Sequence, residues 1–195
     1  MSIRRMNEYE YMKYVDDLNN LAEDIVKITE VETPVTDMRI IVEKLGGKII
    51  LNDKYLGLPS DNKVRRDGPD SFTIVINPYD NRNEKDRNWV LGRCLGILFL
   101  NMGYLINPEF WNEWDTETFY NDSNRRFNQR TNAINMNNQF ALALMFPKTM
   151  FTELVKKHTD GNKVDMSAVA KELNCSVTPA ISRAEDLRLI KRWYE

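Results

Sequence analysis

The chain carries one histidine, His158, and two cysteines, Cys94 and Cys175, so nucleophilic and metal chemistry have few candidate groups. Cys94 has no base within its own segment. His158 follows Lys156-Lys157 at what reads as a helix end, where an imidazole suits the negative end of the helix dipole better than a ligand role. More informative are polar residues set into apolar stretches. Arg93-Cys94 opens the run Leu95–Leu100, and Arg93 shares a helix face with Ile97, with Gly96 between them. A guanidinium in such a place must be paired or hydrogen-bonded, because burying it bare is costly. Further on, Phe127, Ile134, Ala141 and Met145 trace an inward helical stripe into which Asn137 and Asn138 fall. Inward amides also need partners. Two facing helices that both turn polar groups inward imply a small polar cavity between them. The plainer alternative is that Arg93 pairs or snorkels to water and the amides satisfy backbone groups.

A second group is aromatic. Tyr104, Phe110, Trp111, Trp114, Phe119 and Tyr120 crowd an irregular segment between Gly103 and Asn124. Such a segment must fold onto the core or onto a partner, and Phe110, Trp111, Trp114 and Phe119 are the candidate partner-binding residues. Arg65-Arg66, Arg125-Arg126 with Arg130, and Arg188 with Lys191-Arg192 form basic clusters that read first as solvated faces. Lys and Arg together number 27 against 29 Asp and Glu, a net charge of −2. That balance disfavours a dedicated nucleic-acid binder.

The elements that must position these groups follow from periodicity. Length (195 residues) and 42% hydrophobic content describe an ordinary globular chain that buries roughly 70% of its unfolded surface. A helix is expected over Asn7–Ile28. Thr33-Pro34 reads as cap and first turn of a second helix carrying Val35, Met38, Ile41, Val42 and Leu45, closed by Gly46-Gly47. Strands are expected at Lys48–Leu51, around Val64 and at Phe72–Ile76, the last two joined by a turn at Asp67–Asp70 and the sheet closed by Asn77-Pro78. Asn83–Met102 reads as a central buried helix, Asn124–Phe146 as a second long helix stopped by Pro147, and Thr149–Lys157 as a short one. Met166–Leu173 and Pro179–Leu187, with Thr178 as cap, form a closing pair with helix-turn-helix spacing. The second of that pair would present Thr178, Ser182, Arg183, Glu185 and Asp186, and two acids beside phosphates are unfavourable.

Three stretches together resemble the ImmA/IrrE-type metallopeptidase-like family: Thr36–Gly46, Asn138–Pro147, and Val169–Val177 continued by Ala184–Ile190. The family's helix carries H-E-x-x-H, two zinc-binding histidines flanking a general-base Glu, with a third acidic ligand on the later helix. Aligned on Leu95-Gly96, the resemblance puts Arg93, Cys94 and Ile97 at those positions. The third carboxylate would fall at Ile134-Asn135-Met136, where no acid stands. Ile97 has no lone pair and a guanidinium repels a cation, so the resemblance implies a degenerate site comprising Arg93, Cys94, Ile97, Asn135, Asn137 and Asn138. Arg93 would supply a fixed positive charge there, paired with a carboxylate such as Glu113, Asp115 or Glu117.

The expected fold is therefore α+β: a mainly helical, zincin-like domain with a small three-stranded sheet over 1–147, and a C-terminal helical extension over 148–195. The expected function is that of a catalytically inactive metallopeptidase-like protein with no cofactor or metal, binding a protein partner. What the resemblance implies is a regulatory or host-interference role in phage or mobile elements. The alternatives are a DNA-binding regulator using the closing helix pair, and a hydrolase with a relocated site. The apolar run Leu95–Leu100 is too short to span a bilayer, so no membrane partner is expected. Met1–Arg5 leads to Glu8, Glu10 and Asp16 rather than an apolar core, so no secretory signal is expected. With two thiols and no disulfide framework, the expected setting is cytoplasmic.

Overall fold

Apolar periodicity resolves into elements wherever one face of the chain can be buried. The computed structural model describes residues 8–52, 62–77, 82–120 and 127–191. Arg125, Arg126, Arg192, Asn124 and Pro78 lie outside the described residues, as do the side chains of Phe127, Arg130 and Ile134. Helix α1 (Glu8–Ile28) buries Val15, Leu18, Ala22 and Ile25 along one stripe. Helix α2 (Met38–Lys44) starts later than expected. Its cap is Asp37, whose carboxylate accepts from the Arg39 N–H, while Pro34 lies in the extended segment before it. That segment is fastened by the Val35 N–H donating to Met145 O (3.0 Å) and by buried Asn88, which accepts from the Met38 N–H (3.0 Å) and donates to Thr36 O.

Strands β1 (Gly47–Leu51), β2 (Lys63–Gly68) and β3 (Ser71–Ile76) form the expected three-stranded sheet in the order β1-β3-β2. β1 runs parallel to β3, and β2 runs antiparallel to it. Phe72, Ile74 and Ile76 on β3 are fully buried, as befits the central strand.

Helix α3 (Glu84–Gly96) is capped by Asn83, which accepts from the Asp86 N–H at 2.9 Å. It does not run on as α-helix to Met102: residues Ile97–Asn101 form a π-helical turn. The wider turn changes the angular step, leaving Leu100 half-buried while Asn101 turns inward. Helix α4 (Pro108–Glu113) lies within the segment expected to be irregular, and Asn107 caps it by accepting from the Phe110 N–H. Helices α5 (Phe127–Met145) and α6 (Lys148–Lys157) match expectation.

A two-stranded hairpin, β4 (Thr159–Asp160) and β5 (Lys163–Val164), turns at Gly161, whose φ of +57° suits glycine. Helices α7 (Met166–Glu172) and α8 (Val177–Asp186) close the chain, with Ser176 rather than Thr178 at the α8 N-cap position. Buried side chains form two clusters. The larger joins α1, α2, the sheet, α3 and α5, while the smaller joins Leu142 and Phe146 of the α5 end region to α6, α7 and α8. Among the described residues, no helix is long and apolar enough to cross a membrane.

Candidate functional site

The crossing of α3 with α5 is where the degenerate site was expected, and it is closed. A Cβ on Gly92 would lie 3.0 Å from the Ala141 Cβ, and one on Gly96 would lie 3.0 Å from the Asn137 Cα. Glycines at positions i and i+4 of α3 thus admit the Asn137 and Ala141 face of α5 almost to backbone contact, and at these two contacts the described residues leave no room for the expected polar cavity. Asn137 is fully buried, and its Oδ1 accepts from Asn101 Nδ2 at 3.0 Å. The amide therefore finds its partner in the π-turn. Cys94 and Ile97 belong to the apolar core, whereas Arg93 is only half-buried. These residues do not fit a metal: the isoleucine offers no donor, and the thiol is packed among apolar side chains. Among the described residues, no group of three or more His, Cys, Asp or Glu could hold a metal ion.

Asn135 and Asn138 do not join Asn137 inside. Successive helical positions differ by about 100°, which turns both toward a groove between α5 and α8 where Asn135 is exposed and Asn138 half-buried. This groove, about 450 Å³, is lined by Tyr11, Trp89, Gln139, Ser182, Glu185 and Asp186 beside the two asparagines. Tyr11 donates its hydroxyl to Asp186 Oδ1 (3.0 Å), and Gln139 Nε2 reaches both Tyr11 Oη (3.0 Å) and Asp186 Oδ1 (3.1 Å). Trp89 and Pro179 also line a larger cleft of about 830 Å³ that reaches Val35, Lys85, Met145 and Cys175. Burial raises the Cys175 thiol above its ordinary range despite nearby Lys85, so it is a poor nucleophile at neutral pH.

The α8 face that the DNA-binding alternative would use is turned partly inward. Arg183 is 1% exposed, donating through Nε to Phe146 O (3.0 Å) and through its terminal nitrogen to Asn19 Oδ1 (2.5 Å). Burial brings its pKa down to about 10, still leaving it charged at neutral pH. Ala180, Arg183 and Ala184 form the buried stripe of α8, a spacing readable in the sequence once the arginine is counted as an inward residue. His158 caps the end of α6, and its Nε2 lies 2.8 Å from Glu172 Oε1.

The aromatic segment folds largely onto the sheet. Trp111 is buried rather than an exposed anchor, with Nε1 donating to Pro69 O (2.6 Å) and its ring edge-on to Tyr104 at 4.8 Å. Trp114 is half-buried against Tyr120, and Phe119 lies under the Arg65 guanidinium. Arg66 also reaches this segment, donating to Trp114 O and Asn112 Oδ1. Asp115 accepts from the backbone N–H groups of Glu117 and Thr118 and from the Thr118 hydroxyl.

What remains outside is an apolar knuckle. Leu105, Ile106 and Phe110 are 55%, 50% and 38% exposed. Leu105 is held at φ +58°, a conformation leucine rarely adopts. The Phe110 ring lies over Gly103, where a Cβ would meet its Cδ1 at 3.1 Å, so it sits beside the turn that carries Leu105 and Ile106.

No protein-family model, no curated protein and no solved structure matches this chain.

Proposed function

We propose that this chain is a catalytically inactive, metallopeptidase-like protein that works by binding another protein. The observation that carries the binding reading is the knuckle of Leu105, Ile106 and Phe110, held in solvent by a turn that places a leucine in the left-handed region. Strain of this kind survives where the surrounding structure enforces it, and it gathers at binding sites. Three exposed apolar side chains on and beside one turn are what a partner would cover. The absence of catalysis is supported by the α3–α5 crossing, where Gly96 packs on Asn137 and Ile97 offers no donor. The resemblance to the ImmA/IrrE-type family implies a regulatory role exerted on a phage or mobile-element protein.

The test is photocrosslinking from a benzophenone side chain in place of Phe110, in the cells that make the protein, with the same probe at exposed Tyr9 on α1 as control. A discrete adduct from position 110 that is missing from position 9 is the expected result. Equal adducts from both positions, or none from 110, would remove the knuckle from the function.

A further inference from the structure

We infer that the knuckle is built for a cationic, apolar segment of a protein partner, such as an amphipathic helix rich in Lys and Leu. This rests on the protein-binding reading above and specifies its chemistry. The segment from Gly103 to Tyr120 contains four carboxylates, Glu109, Glu113, Asp115 and Glu117, and no Lys, Arg or His. All four acids are exposed. Glu113 stands one helical turn beyond Phe110 on α4 and so neighbours the ring, and Glu109 lies a further helical turn back from Glu113 on the same face.

Among the described residues, the cations that touch this segment are Arg65 and Arg66 of β2, and both are committed. Arg65 pairs with Asp67 at 2.9 Å, and Arg66 is engaged by Trp114 O and Asn112. An apolar centre with an acidic rim attracts a partner that carries the opposite charge around its own apolar contact, and it repels an anionic surface. Along the sequence, the other large exposed apolar side chains among the described residues stand alone or in pairs, as with Tyr9 and Met12, Ile28, Ile40, Ile50 and Leu51, and Val177.

Leu105 gives the test its discrimination. At φ +58° asparagine is better accommodated than leucine, so Leu105→Asn should preserve or raise stability while removing part of the contact. The probe is a fluorescein-labelled amphipathic Leu/Lys peptide of about 14 residues, long enough to form a helix on a surface. Its Leu/Glu counterpart and a Gly/Ser/Lys peptide of equal charge serve as comparisons.

The chain of 195 residues is expected to bind the Leu/Lys peptide alone. Phe110→Ser and Leu105→Asn should each weaken binding by about tenfold or more. The Glu109→Gln/Glu113→Gln double variant should weaken it several-fold and flatten its salt dependence. Equal binding of the Leu/Glu peptide, or unchanged affinity in all these variants, would overturn the inference. So would Phe110-dependent partition into phosphatidylcholine vesicles, or a dimer in sedimentation that Phe110→Ser dissolves, since these assign the knuckle to a membrane or to a second copy. Position-specific crosslinking from 110 with no preference for the cationic peptide would sink this inference while leaving the protein-binding reading in place.

Discussion

Gly96 and Asn137 meet so closely that a methyl group on the glycine would lie 3.0 Å from the asparagine Cα and 3.1 Å from its Oδ1. Two helices in this relation meet in close contact at Gly96 and Asn137 and leave no cleft between these two residues. In an open helical position Gly→Ala gains up to about 1 kcal/mol. Here the added methyl forces apart packed backbone, and overpacking costs about 1–3 kcal/mol. Gly96→Ala is therefore expected to lose about 1 kcal/mol net, read as a lower urea midpoint at unchanged m-value. A gain in stability would mean that the helices have room between them.

Arg183 fastens the closing helix pair to the rest of the chain, tying α8 to Asn19 of α1 and to the Phe146 carbonyl after α5. Arg183→Ala strands both acceptors and is expected to cost about 3 kcal/mol. Lysine should rescue little, because one ammonium cannot reproduce a planar guanidinium bridging two separated oxygens. Urea denaturation measures the loss. Limited proteolysis should show cleavage around α7 and α8 before the remainder of the chain is cut.

Tyr104 anchors the inner side of the aromatic segment. Its hydroxyl donates to Leu45 O at 2.6 Å and approaches Asp70 O at 3.3 Å, and its ring packs edge-on to Phe72 and Trp111. Tyr104→Phe is expected to cost about 1 kcal/mol. Burial raises the phenol above its ordinary pKa, with Asp70 adding to the effect. The folded state therefore favours the neutral phenol, and this contribution is fully present below the unfolded pKa of about 10. It should be lost as pH rises through the folded value, so urea midpoints of wild type and Tyr104→Phe are expected to converge in alkaline solution.

The two thiols should report folding. Cys94 is 1% exposed, and Cys175 is half-buried with its pKa raised chiefly by burial. With a disulfide reagent at neutral pH, Cys175 is expected to react slowly and Cys94 only after unfolding. Fast reaction of both thiols in the native protein would contradict the packing of α3.

Much of the architecture is readable because burial imposes a period: α1, α5, α6 and the three strands follow from stripes and alternation. The pattern fails where burial is complete or a step is ambiguous. Ile97–Asn101 is apolar on most sides, so nothing in it separates a π-turn from continued α-helix. Asn137 and Asn138 are adjacent amides, and only tertiary packing decides which of them turns inward. Gly92 and Gly96 read as weak helix formers unless Ala141 and Asn137 are recognised as the surface they admit. Arg183 looks like an outward cation until Ala180 and Ala184 are seen to flank it on one stripe. Asn107-Pro108, a cap followed by proline, did signal α4 within a stretch whose aromatic content suggested irregular chain.

Zinc titration of the chain and its Cys94→Ala variant, followed calorimetrically and paired with a peptide-cleavage assay with and without chelator, tests the proposed lack of catalysis most directly. We expect no stoichiometric zinc uptake that depends on Cys94, and no chelator-sensitive cleavage. One tightly held zinc per chain that disappears in Cys94→Ala, together with hydrolysis that the chelator stops, would contradict it.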